Sequence, residues 1–170
     1  IYGNAGAEPA NESANTKPVG FYGIGKLTAE MYVHKLCRDS GVRHSIFRIG
    51  NAYGIDQIRD NLSVGFVATA VKVALSSGKV DIWGDGQNRR DYIHSEDVSS
   101  GILTAIRSSQ LTSDVYNLGT GTSFSNLEVL KLVQEVTGKK VYTVFKEMRA
   151  FDVGQISLDC SRLRDETGWE

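Results

Sequence analysis

The stretch VGFYGIGKLTAE, residues 19–30, admits two readings that lead to different folds. Gly20, Gly25 and Lys26 fit the G-x-x-x-x-G-K spacing of a phosphate-binding loop. Tyr22 and Lys26 fit instead a Tyr-x-x-x-Lys pair, in which a lysine charge acidifies a phenol. A phosphate-binding loop needs a buried strand that delivers the chain into the glycine turn, so that backbone N–H groups converge on phosphate. The preceding NESANTKPV is polar and cannot be that strand. The motif also needs Ser or Thr after the lysine to hold magnesium, and position 27 is Leu. The first reading fails on both counts.

The second reading survives. Residues four apart share a helix face, so both groups can point into one cleft. A lysine charge near 4 Å is worth roughly 4 kcal/mol at an effective dielectric of 20. That brings a phenol, with its ordinary pKa of about 10, within reach of acid–base work near neutrality. Seven tyrosines and nine lysines in 170 residues produce about 0.4 such pairs by chance. The pair alone therefore decides nothing, and its surroundings must.

The chain has one domain's worth of residues and an ordinary globular composition, 41% hydrophobic and 23% charged. A net charge of -1 gives no electrostatic case for nucleic acid or an anionic membrane. No apolar run approaches the roughly 20 residues of a membrane span, and no signal-peptide pattern is present. Cys37 and Cys160 read as two reduced, buried thiols of a cytoplasmic protein. His34 and His44 carry no signal, and no metal-ligand cluster is visible in the spacing.

Residues 3–18 are polar and read as a loop. From Tyr22 to Asp39, Ile24, Leu27, Met31, Val33, Leu36 and Cys37 recur at helical intervals over more than one stripe. That pattern predicts a helix buried on two sides and stopped by Gly41. HSIFRIG, residues 44–50, reads as a strand, and LSVGFVATAVKVALSS, residues 62–77, as a second helix. KVDIWGDGQNRRDYIH then reads as strand, glycine turn and strand. Ser95 is the expected N-cap of a helix through Arg107. DVYNLG is a buried strand, Ser125 caps an amphipathic helix ending near Gly138, KVYTVFKE is a late strand, and CSRLRDETG is a short helix. This order predicts an α/β fold with a parallel sheet and a smaller mixed lobe.

Six ordered blocks then carry a resemblance. YG at 2–3, PVGFYGIGKLTAE, FRIGNAYG at 47–54, GDGQNRRDYIHSEDV at 84–98, VYNLGTG, and RAFDVGQISLDCSRLRDETGW follow one another in consistent order. The chain resembles the extended short-chain dehydrogenase/reductase family, in its NAD-dependent sugar-nucleotide epimerase and dehydratase branch. The resemblance implies the C-terminal part of a Rossmann-type doubly wound parallel sheet with a smaller substrate-binding lobe. Residues 1–54 would belong to the NAD-binding domain and 55–170 mostly to the substrate lobe, with 92–120 returning to the sheet.

The same resemblance implies roles. Tyr22 is the acid/base that takes a proton from a sugar hydroxyl while hydride passes to NAD. Lys26 favours the ionised phenol and hydrogen-bonds the nicotinamide ribose, and Gly50 lies beside the cofactor. Asn51, Asn61 and Leu62 line the nucleotide-sugar site. Arg90 and Arg149 hold the diphosphate from two directions, as guanidinium forks suit phosphate oxygens. Asp152 contacts the nucleotide ribose region, and Trp83 or its backbone the base. Each has a plainer alternative: a solvated turn for Arg89 and Arg90, turn capping for Asn51 and Asp152, a core aromatic for Trp83. His94 is expected to be structural.

The family's glycine fingerprint is absent from these residues, and its catalytic Ser or Thr would precede Ile1. The expectation is therefore the C-terminal portion of a longer enzyme, inactive by itself. RDYIHSEDV favours an epimerase of UDP-glucose and UDP-galactose, or of their N-acetylated analogues. A 4,6-dehydratase, a UDP-glucuronate decarboxylase and a non-catalytic nucleotide-sugar binder remain open. Ile156 falls where some members place a bulky Tyr, and a smaller side chain there is compatible with an N-acetyl group. In relatives the helix over 22–37 pairs across a two-fold axis, which implies a homodimer.

Overall fold

The computed structural model describes residues 1–55, 57, 65–76, 78–112 and 114–170. The opening stretch begins helix α1, Phe21–Ser40. Gly41 ends it with φ 64°, a left-handed conformation open to glycine, and its N–H bonds the carbonyls of Arg38 and Cys37. Strands β1 (Ile46–Ile49) and β2 (Asn51–Tyr53) follow, then α2 (Phe66–Ser76). Of the second predicted helix, residues 62–64 and 77 lie outside the described residues.

The glycine turn at 84–86 connects β3 (Lys79–Trp83) to β4 (Arg89–His94). The remaining elements are α3 (Ser95–Arg107), β5 (Val115–Leu118), β6 (Ser123–Ser125), α4 (Asn126–Thr137), β7 (Tyr142–Lys146) and α5 (Ser161–Thr167). Strand β1 runs parallel to β5, from Ile46 opposite Val115 to Ile49 opposite Leu118. Strand β4 lies between β2, parallel, and β6, antiparallel. Strand β3 pairs in parallel with β7 rather than with its neighbour β4. Mostly parallel pairs joined through helices give the predicted α/β class.

Two apolar clusters organise the chain. One gathers Tyr2, Ile93, Tyr116, Leu118, Leu158, Leu163 and Trp169 around β5. The other packs Ala70 and Ala74 of α2 and Val129, Leu130 and Val133 of α4 against Val80 and Ile82 of β3. Helix α4 has a full capping box: Ser125 accepts from the Glu128 N–H and Glu128 accepts from the Ser125 N–H. At α3 the cap falls one residue earlier than expected. The His94 ring accepts from the Glu96 N–H at 3.3 Å, and Ser95 is the first helical residue.

Helix α1 departs most from expectation. Phe21 is 94% exposed, and Met31, Tyr32 and Leu36 also face solvent, so within this chain the helix is not buried on two sides. Its buried residue is Glu30. Glu30 meets Arg48 of β1 in a two-pronged ion pair, Oε2 to Nε at 3.0 Å and Oε1 to Nη2 at 2.5 Å. The remaining guanidinium nitrogen donates to the Tyr2 hydroxyl at 2.8 Å and the Glu12 carbonyl at 3.1 Å. Burial opposes the charge on Arg48, yet the bonds to Glu30 and Tyr2 outweigh it and hold the group above its ordinary value. Among the described residues, no helix is long and apolar enough to cross a membrane.

Candidate active site

A cavity of about 410 Å³ opens where α1, the β1–β2 junction and β4 converge. Tyr22 and Lys26 face it from the first two turns of α1, Gly50 and Asn51 from the junction, and Arg90 from β4. The Lys26 ammonium lies 5.6 Å from the centroid of the Tyr22 ring. Tyr22 is 80% exposed, so its hydroxyl is open to a ligand. An accessible phenol beside an accessible ammonium is a donor set that fits the hydroxyls of a ribose and an alcohol undergoing proton transfer. The residues present therefore fit a nicotinamide nucleotide at this end of the cavity.

Gly50 has a packing reason within the chain itself. A Cβ there would stand 2.8 Å from the Asp91 carbonyl oxygen, so only glycine lets the junction approach β4. Asn51 sits in β2 opposite Tyr92 and is exposed, which removes turn capping as its role. Ile156 lines the same cavity. Tyr2 and Gly3 also line it, from an irregular segment rather than a strand. Asn61 and Leu62 lie outside the described residues.

A second group forms beside Arg90. Arg149 makes two hydrogen bonds to Asp152, at 3.1 and 2.9 Å, and stacks over Trp83 at 5.0 Å and Phe151 at 5.2 Å. Trp83 is exposed rather than a core aromatic. Asp152 orients the guanidinium of Arg149, a task that turn capping does not describe. Arg90 is half-buried, and its Nη1 donates to the Arg89 carbonyl at 2.9 Å. Burial lowers its pKa, and so does the charge of Arg149, while Tyr92 and Asp152 work in the opposite direction. Two guanidiniums near one carboxylate leave a net positive field, as a diphosphate requires. Arg89 points elsewhere, to Glu128 at 2.9 Å and the Ser123 carbonyl at 2.6 Å, and is structural.

Sequence reading missed the residue that assembles this corner. Asp91 is 1% exposed and accepts from the N–H groups of Thr120, Gly121 and Leu158 at 2.8, 3.0 and 3.0 Å, and from the Thr120 hydroxyl at 2.7 Å. It ties β4 to the β5–β6 turn and to the segment carrying Ile156. An aspartate between Arg90 and Tyr92 gives no sequence signal of burial, because its partners lie 29 to 67 residues away. His94 caps α3 and meets Tyr53 edge-on at 5.3 Å, a structural role as expected. Folding brings together His34, His44 and Asp114, three side chains of metal-ligating type that sequence spacing keeps apart. Cys160 is buried as expected, whereas Cys37 is half-buried.

Residues 1–119 match the family model described as NAD dependent epimerase/dehydratase family. The chain belongs to that family. Its whole length is similar to the UDP-glucose 4-epimerase of Thermotoga maritima, solved with UDP-glucose, at 33% identity and a TM-score of 0.90, covering 54% of that chain. The UDP-glucose 4-epimerase of Thermus thermophilus, solved with NAD, is similar over 100% of this chain and 55% of its own, at 28% identity and a TM-score of 0.90. UDP-glucuronic acid decarboxylase 1 of Arabidopsis thaliana is 28% identical over 175 residues, 100% of this chain and 39% of its own. The chain spans about half the length of the epimerases it matches, which fits its membership of a family with larger proteins.

Proposed function

We propose that the complete protein epimerises a UDP-sugar at carbon four, with NAD as its bound cofactor. The observation that carries this reading is the convergence of Tyr22, Lys26, Asn51 and Arg90 on one cavity, with Arg149, Asp152 and Trp83 grouped beside it. When bound, NAD supplies a transient two-electron acceptor. Tyr22 accepts the proton of the sugar hydroxyl and returns it. Lys26 stabilises the phenolate and donates to the cofactor's ribose. Arg90 and Arg149 hold the diphosphate, Trp83 offers its face to the base, and Asp152 keeps Arg149 oriented while reaching the ribose region. Asn51 approaches the diphosphate of the nucleotide sugar, and Asn61 and Leu62, outside the described residues, are assigned to the same site by their motif alone. Ile156 leaves room beside the sugar for an N-acetyl group.

Residues 1–54 serve the NAD-binding domain and 55–170 mostly the substrate lobe, with 92–120 returning to the sheet. The exposed apolar face of α1, with Met31, Tyr32 and Leu36, supports a homodimer through this helix in a cytoplasmic protein. The similarity to a UDP-glucuronic acid decarboxylase favours decarboxylation as the second reading.

Incubation of the complete protein with NAD and a panel of UDP-, dTDP- and GDP-sugars, followed by NMR, tests the proposal. UDP-glucose and UDP-galactose should interconvert, and Tyr22→Phe should abolish turnover while leaving UDP-sugar binding within a few-fold. Loss of carbon dioxide from UDP-glucuronate would install the second reading. Normal turnover by Tyr22→Phe, or no conversion of any sugar by the wild type, would refute the first.

A further inference from the structure

The edge of the β1–β5 sheet opposite the cavity carries a group of side chains that the proposed reaction does not use. His34 lies late in α1, His44 just before β1, and Asp114 just before β5. The parallel register that sets Ile46 opposite Val115 places the approaches to both strands side by side. His44 Nε2 is 2.9 Å from His34 Nδ1, and His34 Nδ1 is 3.7 Å from Asp114 Oδ2. The three ligand atoms all lie within 4.8 Å of one another, and all three side chains are half-buried. Strand β1 separates this group from Gly50 by four residues, on the order of 13 Å of extended chain.

We propose that His34 Nδ1, His44 Nε2 and an Asp114 oxygen bind one borderline divalent transition-metal ion, with Zn²⁺ as the reference case. Ligands about 2.0–2.2 Å from a tetrahedral ion stand about 3.3–3.6 Å apart. Two of the three separations, 2.9 and 3.7 Å, bracket that value and the third lies within 4.8 Å, so closing on an ion moves the ligand atoms by up to about an ångström. The imidazole rings meet edge-on, at 83° with centroids 4.9 Å apart, which directs one ring nitrogen at the other. Without an ion the two nitrogens share a proton in a hydrogen bond. With one, that proton moves to the outer nitrogen of its own ring, and both neutral imidazoles present a lone pair.

Two imidazoles and one carboxylate suit Zn²⁺, Cu²⁺ or Ni²⁺ better than the all-oxygen preference of Mg²⁺ or Ca²⁺. His44 and Asp114 line an open cavity of about 700 Å³ against α3, through which an ion and its remaining water ligand can reach the site. Among the described residues, one cation competes. Arg38 Nη2 lies 3.8 Å from Asp114 Oδ2. Arg38 is largely exposed and Asp114 half-buried, so the competition is weak, and removing Arg38 should strengthen metal binding by about two- to fivefold.

Tag-free protein stripped with chelator and titrated with Co²⁺ tests the site. The expected result is tetrahedral d–d absorption saturating at one Co²⁺ per chain and discharged by Zn²⁺. His34→Ala and His44→Ala should lose it, Arg38→Ala should bind more tightly, and Cys37→Ser should leave it unchanged. Because an alanine variant can fail to fold, a second measurement uses the wild type. In long-range ¹H–¹⁵N spectra, Zn²⁺ should shift His34 Nδ1 and His44 Nε2 and leave His94 unmoved. Absence of saturable absorption, binding that survives in both folded histidine variants, or ring nitrogens that do not respond to Zn²⁺ would each overturn the proposal.

Discussion

Glu30→Ala should be among the most costly single changes in α1, although Glu30 is a charged residue in a helix with an exposed apolar face. The side chains of Arg48 and Glu30 are 9% and 7% exposed, and they share two hydrogen bonds. Near 3 Å and an effective dielectric of 20, their attraction is at most about 5 kcal/mol. Removing one partner of a buried pair costs about 3–5 kcal/mol, because the other charge stays buried. Arg48 keeps the Tyr2 hydroxyl and the Glu12 carbonyl as acceptors, which places the expected loss near the lower end, about 3 kcal/mol. Urea unfolding measures it directly, since a loss of that size is a large share of a typical domain's stability.

Two further variants separate charge from packing. Glu30→Gln keeps the shape and one acceptor and should cost about 1–2 kcal/mol. The double replacement Glu30→Met with Arg48→Met removes both charges, and its stability should return to within about 1 kcal/mol of the wild type. Activity should not return with it. Lys26 and Tyr22 lie one and two turns before Glu30, and a helix no longer pinned by a directional pair holds them less accurately. A loss of about tenfold to hundredfold in kcat is expected for misplacement of about 1 Å. A Glu30→Ala cost below about 1 kcal/mol, or a double variant no more stable than the single, would refute this account.

Arg149→Ala should weaken UDP binding by about ten- to hundredfold in calorimetry, since it removes a guanidinium stacked on Trp83 and oriented by Asp152. Its effect on unfolding should stay within about 0.5 kcal/mol, because the side chain is partly exposed. Burial pushes the Cys160 thiol up to about 12 from an ordinary 9.0, so at about pH 8 a thiol reagent should reach Cys37 first and Cys160 only after unfolding. Both states hold the Cys160 proton below pH 9. Between about 9 and 12 the unfolded chain ionises first, and this group lowers stability by up to about 1.4 kcal/mol per pH unit. The difference in urea midpoint between wild type and Cys160→Ala over that window reads the slope. Ser125→Ala should cost about 1–2 kcal/mol in the same assay by removing half of the α4 capping box.

What could be read from the sequence was what depends on neighbours along the chain. Helix ends carry local signals, so Gly41 and Ser125 are legible as caps. Short strands rich in β-branched and aromatic residues stand out between turns, so β1 and β5 are legible as strands. Pairing is not local: nothing in KVDIW indicates that its partner is YTVFK some sixty residues later. The α3 cap moved from Ser95 to His94 because an imidazole nitrogen can accept the same N–H as a serine hydroxyl, and only geometry chooses between them. Tyr22, Lys26, Asn51, Arg90 and Arg149 were picked out by their motif blocks, and folding brings the first four onto one cavity with Arg149 near Arg90. Asp91 and Glu30 were not, since a buried carboxylate has the same one-letter signature as a solvated one.

That asymmetry has a physical source. The residues that meet solvent or ligand must be of particular types at particular spacings, and spacing is visible in one dimension. The residues that hold them in place need only complementary partners, which folding supplies from anywhere. Helix α1 makes the point: within this chain its apolar side chains face outward, so hydrophobic packing alone does not set its position. A directional, two-pronged ion pair fixes rotation as well as distance, which a greasy contact of the same area does not. The strut at Glu30 and Arg48 thus belongs to the candidate site as much as Tyr22 does, since the direction of the phenol depends on it.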